Sequence, residues 1–156
     1  MSNVDTPDAQ GIRLVLTDPA NDADRDYLDA RLKEYNNTRS EYFRESRLPG
    51  QGAQPLDIYL RDAAGGIPGG LVAFTIWGRL DLDVRWLDDS LRGHAYSTRL
   101  VQTAEAEARR RGCAHAHLRI FSFQARGFYE KLGYTVFGAL EGYPPGHRRY
   151  FLQKRL

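Results

Sequence analysis

Ser122-Phe123-Gln124-Ala125-Arg126-Gly127-Phe128-Tyr129-Glu130-Lys131-Leu132-Gly133-Tyr134 is the stretch on which the fold of this chain turns. It reads as a helix over Phe123 to Leu132 stopped by Gly133, the residue that most easily takes the left-handed turn at a helix end. A strand over His115 to Phe121 precedes it, and another over Tyr134 to Leu140 follows it. The last strand, Arg149 to Leu152, returns through Tyr143-Pro144-Pro145-Gly146 as a hairpin.

Working back toward the N-terminus, Leu100, Val101, Ala104 and Ala108 form a narrow apolar stripe on a helix from about Tyr96 to Arg111, closed by Gly112. Arg109-Arg110-Arg111 is a favourable charge cluster at its C-terminal end. Before it, Leu80 to Leu87 alternates, with Leu80, Leu82, Val84 and Trp86 on one face and Asp81, Asp83 and Arg85 on the other. Trp86 is expected to pack beneath the sheet. Leu56 to Arg61 and Gly70 to Trp77 flank a glycine-rich turn and read as an antiparallel hairpin.

Upstream of Gln54 the pattern weakens into a short helix around Tyr42-Phe43 and a mobile loop, Leu48-Pro49-Gly50-Gln51-Gly52. Asn21 or Asp22 caps an earlier helix running to about Asn36, with Tyr27, Leu28, Leu32 and Tyr35 at three-and-four spacing. A strand over Ile12 to Leu16 opens the ordered chain, and residues 1–10 are expected to be a flexible N-terminus ahead of one domain over 11–156. The element order predicts an α/β fold: a mixed sheet with helices on both faces.

Composition fits that reading. The 156 residues are 42% hydrophobic and 27% charged, which suits one globular domain and excludes collagen, disordered tail and coiled coil. No apolar run approaches the roughly 18 residues of a membrane span, and Met1-Ser2-Asn3-Val4-Asp5 lacks the features of a secretory signal, so a cytoplasmic protein without membrane partners is expected. Cys113 stands alone and reads as a small buried hydrophobe. His115 and His117 share a strand face, where a solvated surface is the simpler account than a metal, and no metal site is expected.

Residues 1–78 carry 8 Lys+Arg against 12 Asp+Glu, and residues 79–156 carry 14 against 8. The basic C-terminal half suits an anionic ligand, although scattered surface arginine accounts for it as well. No stripe of the size nucleic acid needs is present. No glycine fingerprint follows the first strand and no Walker loop occurs, which sets aside dinucleotide and kinase chemistry.

The junction from Leu87 to Leu100 aims a helix N-terminus, with its free amides and positive dipole end, beyond a strand. Arg92, His94 and Arg99 stand around it, with the hydroxyls of Ser97 and Thr98. Together these make a plausible phosphate site, and also an ordinary helix start.

Arg92-Gly93-His94-Ala95-Tyr96-Ser97 resembles the cofactor loop of the GNAT superfamily of acetyl-CoA-dependent N-acetyltransferases: Gln or Arg, two variable residues, Gly, one variable residue, then Gly or Ala. Arg92 keeps the leading position, while Ala95 and Ser97 stand where the two small backbone-exposing residues belong. A methyl at Ala95 costs about 1–2 kcal/mol if the backbone there is left-handed. The Ser122 to Tyr134 stretch is similar to the family's Asn-x-x-Ala-x-x-Phe-Tyr-x-x-x-Gly-Phe/Tyr, with Ser122 replacing Asn, and the resemblance covers roughly residues 12 to 156.

The resemblance implies a mixed, mostly antiparallel, splayed sheet of six or seven strands, and transfer of an acetyl group from acetyl-CoA to a primary amine of a small molecule or peptide, by direct attack on the thioester. Tyr129 matches the general acid, though a phenol beside Phe128 is equally at home in a core. Leu87 matches the position whose backbone pairs with the pantetheine arm, and Arg92, Gly93, His94, Ala95, Tyr96, Ser97 and Thr98 fall on the rest of the cofactor site. The amine, with a pKa of about 10, must lose a proton before attack, and Asp81 and Asp83 are the candidate bases, Asp83 standing nearer the splay. Binding is expected between the strand ending at Leu87 and the His115 to Phe121 strand.

Acceptor contacts are expected from Tyr35, Tyr42, Phe43 and Asp81, and from Tyr143, His147 and Arg148 of the last hairpin, a set that also suits self-packing or a homodimer interface. A competing reading, motivated by Ala95 and Ser97, is a degenerate member of the same fold that serves as an acyl-CoA sensor or protein-interaction module.

Overall fold

Asn21 caps the first long helix: its side-chain oxygen accepts from the amides of Ala23 and Asp24 at 3.0 and 3.3 Å. The computed structural model describes residues 3–4 and 8–156. The chain divides into a unit ending at Leu48 and a unit from Pro49 to Leu156. In the first, strand β1 (Asn3–Val4) pairs antiparallel with β2 (Val15–Leu16), a shorter strand than the alternation from Ile12 predicts. Part of the N-terminus expected to be flexible lies outside the described residues. Helix α1 (Asp22–Arg39) outruns its expected end at Asn36, and α2 (Glu41–Glu45) begins at the Ser40 cap, whose hydroxyl accepts from the Phe43 amide at 3.2 Å.

The second unit is built on a seven-stranded mixed sheet. It comprises β3 (Gln54–Pro55), β4 (Ile58–Leu60), β5 (Gly69–Ile76), β6 (Arg79–Leu87), β7 (His115–Phe121), β8 (Thr135–Glu141) and β9 (Arg148–Arg155). The spatial order is β3-β5-β6-β7-β9-β8, with β4 also on β5. All pairs are antiparallel except β6 with β7. Helix α3 (Tyr96–Arg110) crosses between those two parallel strands, as a parallel connection requires. A Cβ on Gly70 would meet the Ile58 carbonyl oxygen at 2.7 Å, so only glycine lets β4 and β5 close together here.

The expected stripe on α3 is the core. Leu100, Val101, Ala104 and Ala108 are buried with Leu71 and Ala73 of β5, Leu80 and Leu82 of β6, Ala116, Leu118 and Ile120 of β7, and Leu152 of β9. Cys113 is buried as expected, and burial pushes its thiol up from the usual value.

Two expectations are overturned. The helix after β7, α4 (Arg126–Lys131), starts later than Phe123, because residues 122–125 form a turn. There the Gln124 amide donates to the Phe121 carbonyl at 2.9 Å, and the Gln124 side-chain oxygen accepts from the Phe121 amide at 2.8 Å.

The second correction concerns β6. Val84 pairs with Val72 and Leu82 with the adjacent Ala73, so Asp83 is an extra residue, a β-bulge. Side chains alternate with period two, so one extra residue exchanges the faces downstream. Leu80 and Leu82 point to the core, but beyond the bulge Arg85 and Leu87 take the inner side, while Val84 and Trp86 are exposed. Trp86 therefore does not pack beneath the sheet, and Arg85 is not on the outer face.

Candidate active site

The parallel pairing of β6 and β7 runs from Arg79–His115 to Leu82–Leu118 and stops at the bulge. Past that point the strands part, β6 continuing to Leu87 and β7 to Phe121. A cavity of about 210 Å³ opens between them, lined by Asp83 and Arg85 of β6, Arg119 and Ile120 of β7, and Gln124, Ala125 and Tyr129 beyond.

Tyr129 is the residue that α4 buries, at 6% exposure. Its ring meets Phe128 edge-on at 5.0 Å and Tyr134 at 5.8 Å, fixing the phenol's direction. Its oxygen accepts a hydrogen bond from Arg85 Nε at 3.1 Å. A second nitrogen of Arg85 donates to Ser97 Oγ at 2.6 Å, and the guanidinium carbon lies 4.3 Å from the Phe128 ring centre. Arg85 thus ties α4 to the start of α3 across the opening.

Asp83, the bulge residue, half exposed at the cavity, accepts from Arg119 at 3.2 Å. Asp81 is placed elsewhere: it is buried, outside the cavity lining, and its carboxylate lies 3.3 Å from His117 Nε2. His117, expected on a solvated face, is paired with it in register.

In the expected cofactor segment, Leu87 sits opposite Gly69 on β5, its other edge beyond the end of the β7 pairing. Asp88 starts a short 3-10 turn, Asp89–Leu91, accepting from the Ser90 amide at 2.9 Å, and the Ser90 side chain together with that amide holds its carboxyl below the ordinary value. Arg92 pairs with Asp89 at 2.7 Å, and His94 Nδ1 lies 3.0 Å from the Arg92 carbonyl. Gly93 has φ +79° and Ala95 φ +59°, so the left-handed condition on the Ala95 methyl is met. Ala95 caps α3 without a side-chain bond, leaving the task of satisfying the first amides, among Tyr96, Ser97 and Thr98, to a ligand or solvent. Tyr96 lies beside His94 and beneath Arg99.

Of the acceptor candidates, Tyr143 and His147 gather at the β8–β9 turn. Tyr143 stacks on Phe121 at 6.4 Å, with Arg149 over both rings. His147 meets Phe123 edge-on at 5.0 Å and lies 3.3 Å from Ser122 Oγ, which in turn accepts from the Arg148 amide at 3.2 Å. Arg148 also pairs with Glu141 at 2.6 Å, and Arg148 and Arg126 together hold the Tyr150 phenol below its ordinary value. Tyr35 lies on α1 under the Arg39 guanidinium, and Tyr42 and Phe43 lie on α2, all in the unit ending at Leu48.

The structure therefore brings together Tyr129, Asp83 and, through Arg85, Ser97. Sequence reasoning missed Arg85, Arg119 and Gln124. Nothing in the alternation of β6 marks the bulge, so Arg85 carried no signal; Gln124 sits inside the motif and was open to question as a turn residue.

The profile described as Acetyltransferase (GNAT) family matches residues 20–134. Blasticidin-S acetyltransferase of Streptomyces morookaense is 37% identical over 131 residues, covering 81% of this chain and 96% of that protein. The crystal structure of an acetyltransferase from Bacillus cereus superposes with a TM-score of 0.75 at 29% identity, over 90% of this chain and 97% of that one. A candidate streptothricin acetyltransferase of Bacillus anthracis, solved with acetyl coenzyme A, shares the fold at 17% identity, with a TM-score of 0.58 over 66% and 63% of the two chains. With the profile spanning most of the chain and the parted strands in place, the protein belongs to the GNAT family of acetyltransferases.

Proposed function

We propose that the protein transfers an acetyl group from acetyl-CoA to a primary amine of a small molecule, with Tyr129 as general acid and Asp83 as general base. The observation that carries this reading is the Tyr129 phenol, buried yet lining the cavity where β6 and β7 part. Acetyl-CoA supplies the activated thioester. The amides at the start of α3 and the free edge of β6 near Leu87 suit its phosphates and amide arm, with Arg92, Gly93, His94, Ala95, Tyr96, Ser97 and Thr98 as the surrounding residues.

Asp83 takes a proton from the acceptor ammonium, directly or through water, since a group of pKa about 10 is otherwise protonated at neutral pH. Tyr129 gives its phenolic proton to the departing sulfur. Tyr143 and His147, at the β8–β9 turn, are the candidates for holding the acceptor. The relationship to a blasticidin-S acetyltransferase makes blasticidin S the first acceptor to try.

The test is calorimetric titration with acetyl-CoA, followed by thiol release in the presence of blasticidin S and a panel of primary amines. Saturable one-to-one binding with amine-dependent release supports the enzyme. Binding without release under every amine supports the acyl-CoA sensor, for which the filled positions Ala95 and Ser97 are the motivating residues. No binding at millimolar ligand removes both and leaves the interaction module.

A further inference from the structure

We propose that Arg85 is a positioning residue that reserves the Tyr129 proton for the cavity, with Ser97 as its anchor. This rests on the reading of Tyr129 as the acid. A phenol has one proton to give and lone pairs to receive with, whereas a guanidinium has donors only. Arg85 Nε donates to the Tyr129 oxygen at 3.1 Å, so Tyr129 cannot spend its proton on that partner. The proton is left for a group on the open side, and the cavity is lined by both residues.

Arg85 is held for this task. Ser97 Oγ receives its second nitrogen at 2.6 Å, and the Phe128 ring lies 4.3 Å from the guanidinium carbon, a cation over an aromatic face. The bulge at Asp83 is what turns Arg85 inward, and a serine where the cofactor loop was expected to carry a small apolar residue is what receives it. The two departures from a plain strand and a plain loop therefore serve one contact.

In the transfer step the acceptor nitrogen bonds to the acyl carbon, the carbon–sulfur bond breaks, and the sulfur takes the proton from the Tyr129 oxygen. The phenolate oxygen that remains is compensated by the Arg85 charge already in contact with it. The proton released from the acceptor nitrogen, through Asp83 or solvent, restores the phenol, so no oxidant, reductant or further reactant is needed.

The experiment is a kinetic double-mutant cycle of Arg85→Met and Tyr129→Phe, with Arg85→Lys as the conservative variant and melting curves to verify that each folds. Acceptors are blasticidin S and, in its absence, water, which reports amine-independent thiol release. Expected is a loss in kcat of at least tenfold for Arg85→Met with the calorimetric affinity for CoA within twofold of the parent. In the Tyr129→Phe background the same change should cost less than twofold, because its target is already gone. Arg85→Lys, which still donates, should recover part of the rate.

Equal losses in both backgrounds, or a loss confined to KM or CoA affinity, would overturn the proposal and make Arg85 a ligand contact. A full rate in Tyr129→Phe would overturn the acid reading itself, a different outcome. A readout without turnover is the 13Cζ resonance of tyrosine-labelled protein, with Tyr129 and Tyr134 identified by their loss in the phenylalanine variants. Arg85→Met should move the Tyr129 signal and leave Tyr134 in place; an unmoved Tyr129 signal counts against the contact.

Discussion

Tyr129 and Tyr134 stand in one motif, with rings 5.8 Å apart and exposures of 6% and 2%, yet their hydroxyls face opposite chemistry. Tyr134 donates to Glu105 at 3.0 Å, a carboxylate that can only accept and that also receives Lys154 Nζ at 2.8 Å. Its proton is committed, and burial together with Glu105 pushes the phenol far above its ordinary value. Tyr129 faces a cation that can only donate, so its proton stays free. The same side chain at the same depth is a fastening in one place and a reagent in the other, and the difference lies in the partner.

The largest effect should come from the fastening. Lys154→Met leaves the buried Glu105 charge with the Tyr134 hydroxyl and, as its one cation, the more distant Arg109 at 3.6 Å, so a loss of about 3 kcal/mol in urea unfolding is expected. Tyr134→Phe removes one hydrogen bond to a charged group and should cost about 1.5–3 kcal/mol in the same measurement, with kcat of the folded protein within twofold of the parent. A tenfold fall in kcat with stability retained would reverse the assignment of the two phenols.

Tyr129→Phe is the mirror image: kcat should fall at least tenfold, about 1.4 kcal/mol in the barrier, while CoA affinity by calorimetry holds. Smaller still is Ala95→Gly. Relief of the left-handed methyl, about 1–2 kcal/mol, is offset by roughly 0.5–1 kcal/mol of added backbone freedom, so a rise in stability of up to about 1.5 kcal/mol is expected, seen as a higher Tm. The smallest effect belongs to Glu107, a half-buried neighbour of Glu105 on α3, held at about 2 by hydrogen bonds from Arg110 and Arg111. Its folded value lies below the ordinary 4.5, so its contribution is present above that pH and fades as pH falls toward 2. Glu107→Gln should flatten that part of the acid unfolding curve.

Much of this architecture was legible. The strand His115–Phe121 falls on its expected bounds, the α3 stripe is the core, and Asn21 caps where a cap was sought. Those features follow from local pattern and burial, which a single sequence carries. The cavity's position between the strand ending at Leu87 and the next was also expected, from the family resemblance. What could not be read was the phase of β6, because a bulge is set by the pairing strand, and Arg85 in an acidic alternation looks like one more outward charge. Asp81 misled for the same reason: its partner His117 lies on a strand far along the chain. The later start of α4 depends on the Gln124 side chain bonding backward to Phe121, a tertiary detail of the turn.

The extra residue at position 83 also gives β6 two reading frames within one unbroken strand. Up to Leu82 the even positions answer to the hydrophobic interior, and from Arg85 the odd ones do. A charged side chain thereby turns to the inner side of the sheet at the point where the interior gives way to a cleft, and the hydrogen-bond ladder to β5 still runs on to Leu87. Were Asp83 taken into the ladder as an ordinary paired residue, the frame would slip, sending Arg85 to the surface and bringing Val84 and Trp86 inward, whereas deleting it would leave Val84 opposite Val72 and Arg85 on the inner side as now.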